Sequence, residues 1–217
     1  GEYATQDAPT QNHFPFSNAN FRYQQLYEAT LFSGPLNLSG VAFRNDGPLG
    51  TAADTNFDIQ IDFSITQTTP GSISTTYADN LGPVTTTVFQ GNQHAVVIGT
   101  VNPDGTANFE ISFPFLVNFQ YDPALGNLLM DVRMGTHLTE GAFPTSDTYL
   151  GTQTLSPVRV FGPSNQVSGQ TDSVGLVTQF TFGSAAPPPP RSGEVPEPGS
   201  IWLAGGAMAA WAMGRRL

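Results

Sequence analysis

Residues 57–65, FDIQIDFSI, alternate strictly: Phe57, Ile59, Ile61, Phe63 and Ile65 are apolar, while Asp58, Gln60, Asp62 and Ser64 are polar. Successive side chains of a strand point to opposite faces, so the pattern predicts a strand with one face in a core and the other in water. The run NFEISFPFLVNF repeats it, with Phe109, Ile111, Phe113, Phe115, Val117 and Phe119 in one phase. Pro114 falls in the other phase and removes a ladder donor, which predicts a sheet edge or a bulge. Further strands are predicted at LSGVAFR, VTTTVFQ, HAVVIGTV, LLMDVRM, SPVRVF and LVTQFTF. Between the runs lie NDGPLG, TTPGS, NPDGT and YDPALGN, rich in residues that supply positive φ, fixed φ or local caps. One segment has another period: in YQQLYEATLF, Tyr23, Leu26, Tyr27, Thr30 and Leu31 are spaced for a helical face. It predicts a helical turn leading into a strand around Val41 and Phe43. The fold expected is all-β, an antiparallel, jelly-roll-like β-sandwich with one short helical turn.

The pattern stops near residue 185. AAPPPPRSGEVPEPGS holds four consecutive prolines, which favour an extended polyproline conformation outside any sheet. After Ser200 come 14 residues, Ile201 to Gly214, without a polar side chain. As a helix they span about 21 Å, short of the roughly 30 Å hydrocarbon core. The organisation read from the chain is a β-sandwich domain over 1–184, a Pro-rich linker over 185–195, and a C-terminal element over 196–217 that includes a hydrophobic helix.

Charge narrows the function classes. The chain carries 17 acidic and 7 basic residues, and it has neither lysine nor cysteine. An acidic body repels phosphate backbones, so nucleic acid is excluded as a partner. Disulfides, thiolate metal sites and cysteine nucleophiles are excluded as well.

Three features stand in order at the C-terminal end: VPEPGS with Pro196, Glu197 and Pro198, the apolar stretch, and Arg215 and Arg216 in RRL. This arrangement closely resembles the tripartite PEP-CTERM sorting signal. The resemblance implies recognition by an exosortase, a membrane-embedded cysteine transpeptidase of Gram-negative bacteria that make exopolysaccharide. It also implies transient inner-membrane insertion of the tail, with the arginines on the cytoplasmic side, and cleavage near the motif on the way to the cell surface. The body segments RYQQLYEATLFSGPLNLSGVAFR, STTYADNLGP and YDPALGNLLMDVR are similar to stretches of uncharacterised, β-rich PEP-CTERM proteins, a likeness that brings no activity with it.

Chemistry is sparse in the body. His13, His94 and His137 are far apart, and no GxSxG is present to place a nucleophile. Asp58 and Asp62 share one strand face but stand roughly 13 Å apart, too far to act across one glycosidic bond. Asp54, Asn56 and Asp58 in DTNFD resemble the opening of a calcium loop, yet Ile59 and Ile65 occupy the positions where an EF-hand needs glycine and glutamate. An irregular calcium site is the one cofactor left open, and no other is expected. Asp104 and Asp122 read as turn residues, and Asn37 in NLS as a candidate glycan acceptor. Tyr77, Tyr121 and Tyr149 are candidates for a sugar-stacking platform. The expectation is a non-enzymatic surface or extracellular-matrix protein with a structural or adhesive role, associating with matrix polysaccharide or with itself. A lectin-like module for exopolysaccharide is the alternative.

Overall fold

The computed structural model describes residues 10–47, 52–140, 145–150 and 157–183. The chain divides after Ala185 into two units, and the described residues belong to the first. The linker, Pro196, Glu197, Pro198, the apolar stretch, Arg215 and Arg216 lie outside them. Among the described residues no helix is long and apolar enough to cross a membrane.

The described residues form twelve strands: β1 (Thr10–Asn12), β2 (Phe21–Tyr27), β3 (Leu36–Phe43), β4 (Ala53–Thr66), β5 (Thr85–Val97), β6 (Ile111–Tyr121), β7 (Asn127–Glu140), β8 (Ser146–Leu150), β9 (Val158–Pro163), β10 (Gln170–Asp172), β11 (Val174–Leu176) and β12 (Thr178–Phe182). They form a six-stranded sheet in the order β10-β9-β2-β7-β4-β5 and two three-stranded sheets, β12-β3-β6 and β1-β8-β11. Every ladder is antiparallel. The large sheet packs on β12-β3-β6, and Phe57, Ile59, Ile61 and Phe63 of β4 meet Leu38, Val41, Phe43, Phe113 and Phe119 from the facing sheet in one core. Aromatic rings dominate it: Phe16 sits 4.8 Å from Phe43, and Phe63 lies 5.6 Å from Phe119. The sandwich is present as expected, but its strands divide six against three, unlike the eight strands of a jelly roll.

The helical reading of YQQLYEATLF is corrected. Phe21–Tyr27 is a strand in the middle of the large sheet, and only Ala29–Leu31 forms a 3-10 turn. Both faces of β2 are covered: Tyr23 and Tyr27 enter the main core, while Leu26 packs on the other side with Leu129 and Val158 beneath Ile73 and Leu81. With polar and apolar residues buried on both faces, the two-residue period vanishes from the sequence. VTTTVFQ and HAVVIGTV merge into the single strand β5, which passes through Gly91 at φ +141°. LVTQFTF does the reverse, dividing at Val177 between β11 and β12 in different sheets.

Strand β6 is both an edge and interrupted, as Pro114 predicts. Leu38 pairs with Phe119 and Gly40 with Pro114, so Ser39 alone stands opposite the four residues Phe115–Asn118. That excursion lifts Leu116 and Val117 out of the sheet to 70% and 55% exposure. Val117 is therefore not a core residue, although its phase in the sequence matches the core.

Candidate functional site

The polar face of β4 holds the densest chemistry in the body. Its first half meets water as expected, since Asp54, Asn56 and Asp58 are exposed. Its second half does not: Asp62 and Ser64 are 2% and 1% exposed. The cover is the connection from β4 to β5, whose 3-10 turns at Pro70–Ser72 and Tyr77–Asn80 lie over the outer face of the large sheet. Local capping shapes this flap. Thr69 and Ser72 form a reciprocal capping box, and the Asn80 side chain accepts from Ser74 N at 2.8 Å and donates to Ser74 O at 2.8 Å. The flap is stitched down by Tyr77 N–H to Val167 O, 3.1 Å, and Gly169 N–H to Thr75 O, 2.9 Å.

Beneath it lies a chain of buried charges. Neighbouring strands β2, β7 and β4 place Gln24, Asp131 and Asp62 in one register row and Arg22, Arg133 and Gln60 in the next. Arg22 grips Asp131 with two donors, Nε at 3.0 Å and Nη2 at 2.5 Å. Arg133 bridges the two carboxylates, 3.0 Å from Asp62 and 3.2 Å from Asp131. Thr87 donates its hydroxyl to Asp62 at 2.6 Å, and Gln60 donates its amide at 2.8 Å. Gln24 donates to Asp131 at 3.2 Å and to the Tyr77 carbonyl at 3.1 Å, tying the flap to the network. The Tyr77 ring covers the Arg22 guanidinium at 4.5 Å, a cation–π contact. Burial pushes the Tyr77 hydroxyl up to about 12, and the neighbouring Arg22 offsets part of that rise. Among the described residues the hydroxyl has no hydrogen-bond partner, and it packs against Gly162 and Gly169: a Cβ at 169 would lie 2.5 Å from it and one at 162 would lie 3.2 Å from it.

The other body arginines are also paired with aspartates. Arg44 and Asp147 form a buried pair at 2.5 Å, and Arg159 holds Asp172 with two donors at 2.7 and 2.9 Å. Arg22, Arg44, Arg133 and Arg159 are the only arginines in residues 1–184 of a lysine-free chain, so each of its arginine and lysine cations is committed to an internal aspartate. The network was missed in the sequence. Its one visible sign was Asp131 and Arg133 at alternate positions inside the apolar run LLMDVRM.

The residues singled out in the sequence are not gathered into one site. Asp54, Asn56 and Asp58 stand in a row along β4 at the two-residue repeat of a strand, about 7 Å apart, whereas calcium ligands converge at about 2.3–2.6 Å. Asp54 turns instead to His94 across the sheet, Oδ1 to Nε2 at 2.7 Å. His13 is exposed as expected, and the side chain of His137 lies outside the described residues. Among the described residues no three of His, Asp and Glu form a metal-holding group. Asp104 and Asp122 do serve turns, capping Thr106 N at 3.0 Å and Ala124 N at 2.9 Å. Tyr77 and Tyr121 are buried, the Tyr121 hydroxyl donating to Gly126 O at 3.0 Å, and only Tyr149 is partly exposed. Asn37 is buried on β3, and its side-chain oxygen accepts from Gln120 at 2.6 Å.

No curated protein and no solved structure matches the chain. Residues 194–216 match the model of the PEP-CTERM protein-sorting motif, covering Pro196, Glu197, Pro198, Arg215 and Arg216. The chain therefore carries at its C-terminus the motif that implies processing by exosortase, export and a place at the cell surface.

Proposed function

We propose that the body is a non-catalytic structural or adhesive component of the extracellular matrix, displayed after exosortase processing. The observation that carries this reading is the commitment of Arg22, Arg44, Arg133 and Arg159 to internal aspartates. They act as rivets between strands, and even Arg133, whose side chain is 37% exposed, is held by both Asp62 and Asp131. Of the carboxylates they hold, Asp62, Asp131 and Asp147 are covered as well and lack the reach to a substrate that a general acid or base needs, while Asp172 is held by two donors of Arg159. Burial of Tyr77 and Tyr121 removes two thirds of the sugar platform considered in the sequence. What this body offers is polar, acidic area on a cross-riveted frame.

Loss of the protein from its native cells should weaken floc or biofilm cohesion without altering polysaccharide composition. Calorimetry of the protein against purified oligosaccharides should show no saturable binding tighter than about 1 mM, which corresponds to about 4 kcal/mol. Unchanged cohesion, or a micromolar sugar isotherm, would overturn the proposal.

A further inference from the structure

The edges of the two packed sheets are guarded unequally. Strand β10 has three residues, and β5 and β6, edges of opposite sheets, run beside each other. Strand β6 is further broken by Pro114 and by the Phe115–Asn118 excursion. Strand β12 has none of these devices. It contains no proline and no charge, it pairs among the described residues with β3 alone, and the extra residue at its register shift is Ser39 of β3. Natural edges are commonly protected by charge, proline or bulges.

We propose that β12 is a self-pairing edge, joining two copies of this chain in an antiparallel ladder centred on Phe180. In that register Gln179 stands opposite Thr181 of the second copy, and Thr178 opposite Phe182. Three observations select a second copy as the occupant. Residues 173–183 carry no charge in a chain of net charge −10, so this edge itself adds no like-charge repulsion when two copies meet along it. The segment TQFTF also brings complementary residues together under a two-fold axis: Phe182, 56% exposed, arrives beside the Thr178 of the other copy. Thr178 bonds the Tyr27 hydroxyl at 2.8 Å, and Tyr27 makes an edge contact with Phe180 at 5.2 Å, so the incoming ring extends an existing aromatic cluster. Finally, residues 183–193 alone separate β12 from the sorting motif that begins at 194. Copies displayed through that short segment share a high local concentration.

A five-residue ladder falls below the roughly 1,000 Å² that a stable interface needs. The pairing is accordingly weak in dilute solution and fills when display brings copies together. It rests on the matrix reading for that concentration only.

The absence of cysteine makes disulfide trapping a clean test. Full chains carrying Gln179→Cys or Thr181→Cys are mixed in detergent under mild oxidation at about 1 mM, the effective concentration of a short tether. Residues directly opposite are close enough to bridge, whereas identical residues in this register lie about 8 Å apart, beyond disulfide reach. The mixed pair should therefore exceed either homodimer by about tenfold, and adding Phe182→Asp to both chains should reduce it to homodimer levels. Equal yields in all combinations, no disulfide, or indifference to Phe182→Asp would each overturn the pairing. Because the readout is a bond and not cohesion, its failure leaves the matrix reading standing, and loss of the matrix reading leaves the bond measurable.

Discussion

Replacing Asp131 by asparagine keeps the shape of the side chain and removes the charge on which two arginines converge. In the native body Asp131 is 1% exposed and accepts from Arg22, Arg133 and Gln24. Removing one partner of a buried pair costs about 3–5 kcal/mol when the orphaned charge stays buried. Here the cost is smaller, because the side chains of Arg22 and Arg133 are 14% and 37% exposed and recover some hydration. Arg133 also retains Asp62 at 3.0 Å. Arg22 has no second carboxylate in contact among the described pairs and carries most of the loss. The expected destabilisation is about 2–3 kcal/mol, a fall in Tm of about 4–12 °C for a body of this size. Urea unfolding at neutral pH, followed by circular dichroism, measures it against Asp58→Asn on the exposed half of β4, where a change within about 0.5 kcal/mol is expected. If the two variants unfold at the same midpoint, the network is not a stabilising rivet and the account of the flap fails with it.

Tyr77→Phe removes a buried hydroxyl that has no partner, so stability should hold or rise by up to about 1 kcal/mol, and a loss of that size in urea would contradict the placement. Glu110 accepts from the backbone N–H groups of Ile98, Gly99 and Thr100 at 2.8, 2.7 and 3.1 Å. Burial raises its carboxyl, but the three donors outweigh burial and leave it below the ordinary glutamate range. Its contribution is therefore full above the ordinary value and lost as pH falls through the lowered one; Glu110→Gln should cost about 1 kcal/mol at neutral pH and flatten that acid limb. Alanine at Pro196, Glu197 and Pro198 together should leave the melting of the body unchanged while the protein accumulates uncleaved in the inner membrane, as fractionation and mass measurement would show; normal release would refute the role of the motif.

Strands with one wet face were legible from the chain. FDIQIDFSI and NFEISFPFLVNF announced themselves by alternation, and Pro114 marked both an edge and a break. Strand β2 was hidden because Gln24 and Gln25 are buried beside Tyr23 and Leu26, so burial no longer followed polarity. The same physics concealed the network: a buried aspartate and a wetted one have the same letter, and only the approach of Arg133 from another strand tells Asp62 from Asp58. Val117 failed for a different reason, since three extra residues opposite Ser39 leave the local alternation intact while carrying it away from the core. The sorting motif was legible in full, because its recognition elements are contiguous in sequence and need no fold to assemble them.

The arginine rivets also bear on how long such a protein lasts outside a cell. Proteases that cut after basic residues must draw several residues of extended chain into their cleft, and in residues 1–184 they are offered four sites and no lysine. Arg22, Arg133 and Arg159 lie within strands of the large sheet, and Arg44 follows β3 at once with its side chain locked to Asp147. Cutting at any of them requires that a strand leave its ladder and an ion pair open together. The next arginine in the sequence is Arg191, in the Pro-rich stretch between the body and the sorting motif. Holding its few cations as internal fasteners thus makes the body a poor substrate for this class of protease, which must undo the sheet before it can cut it.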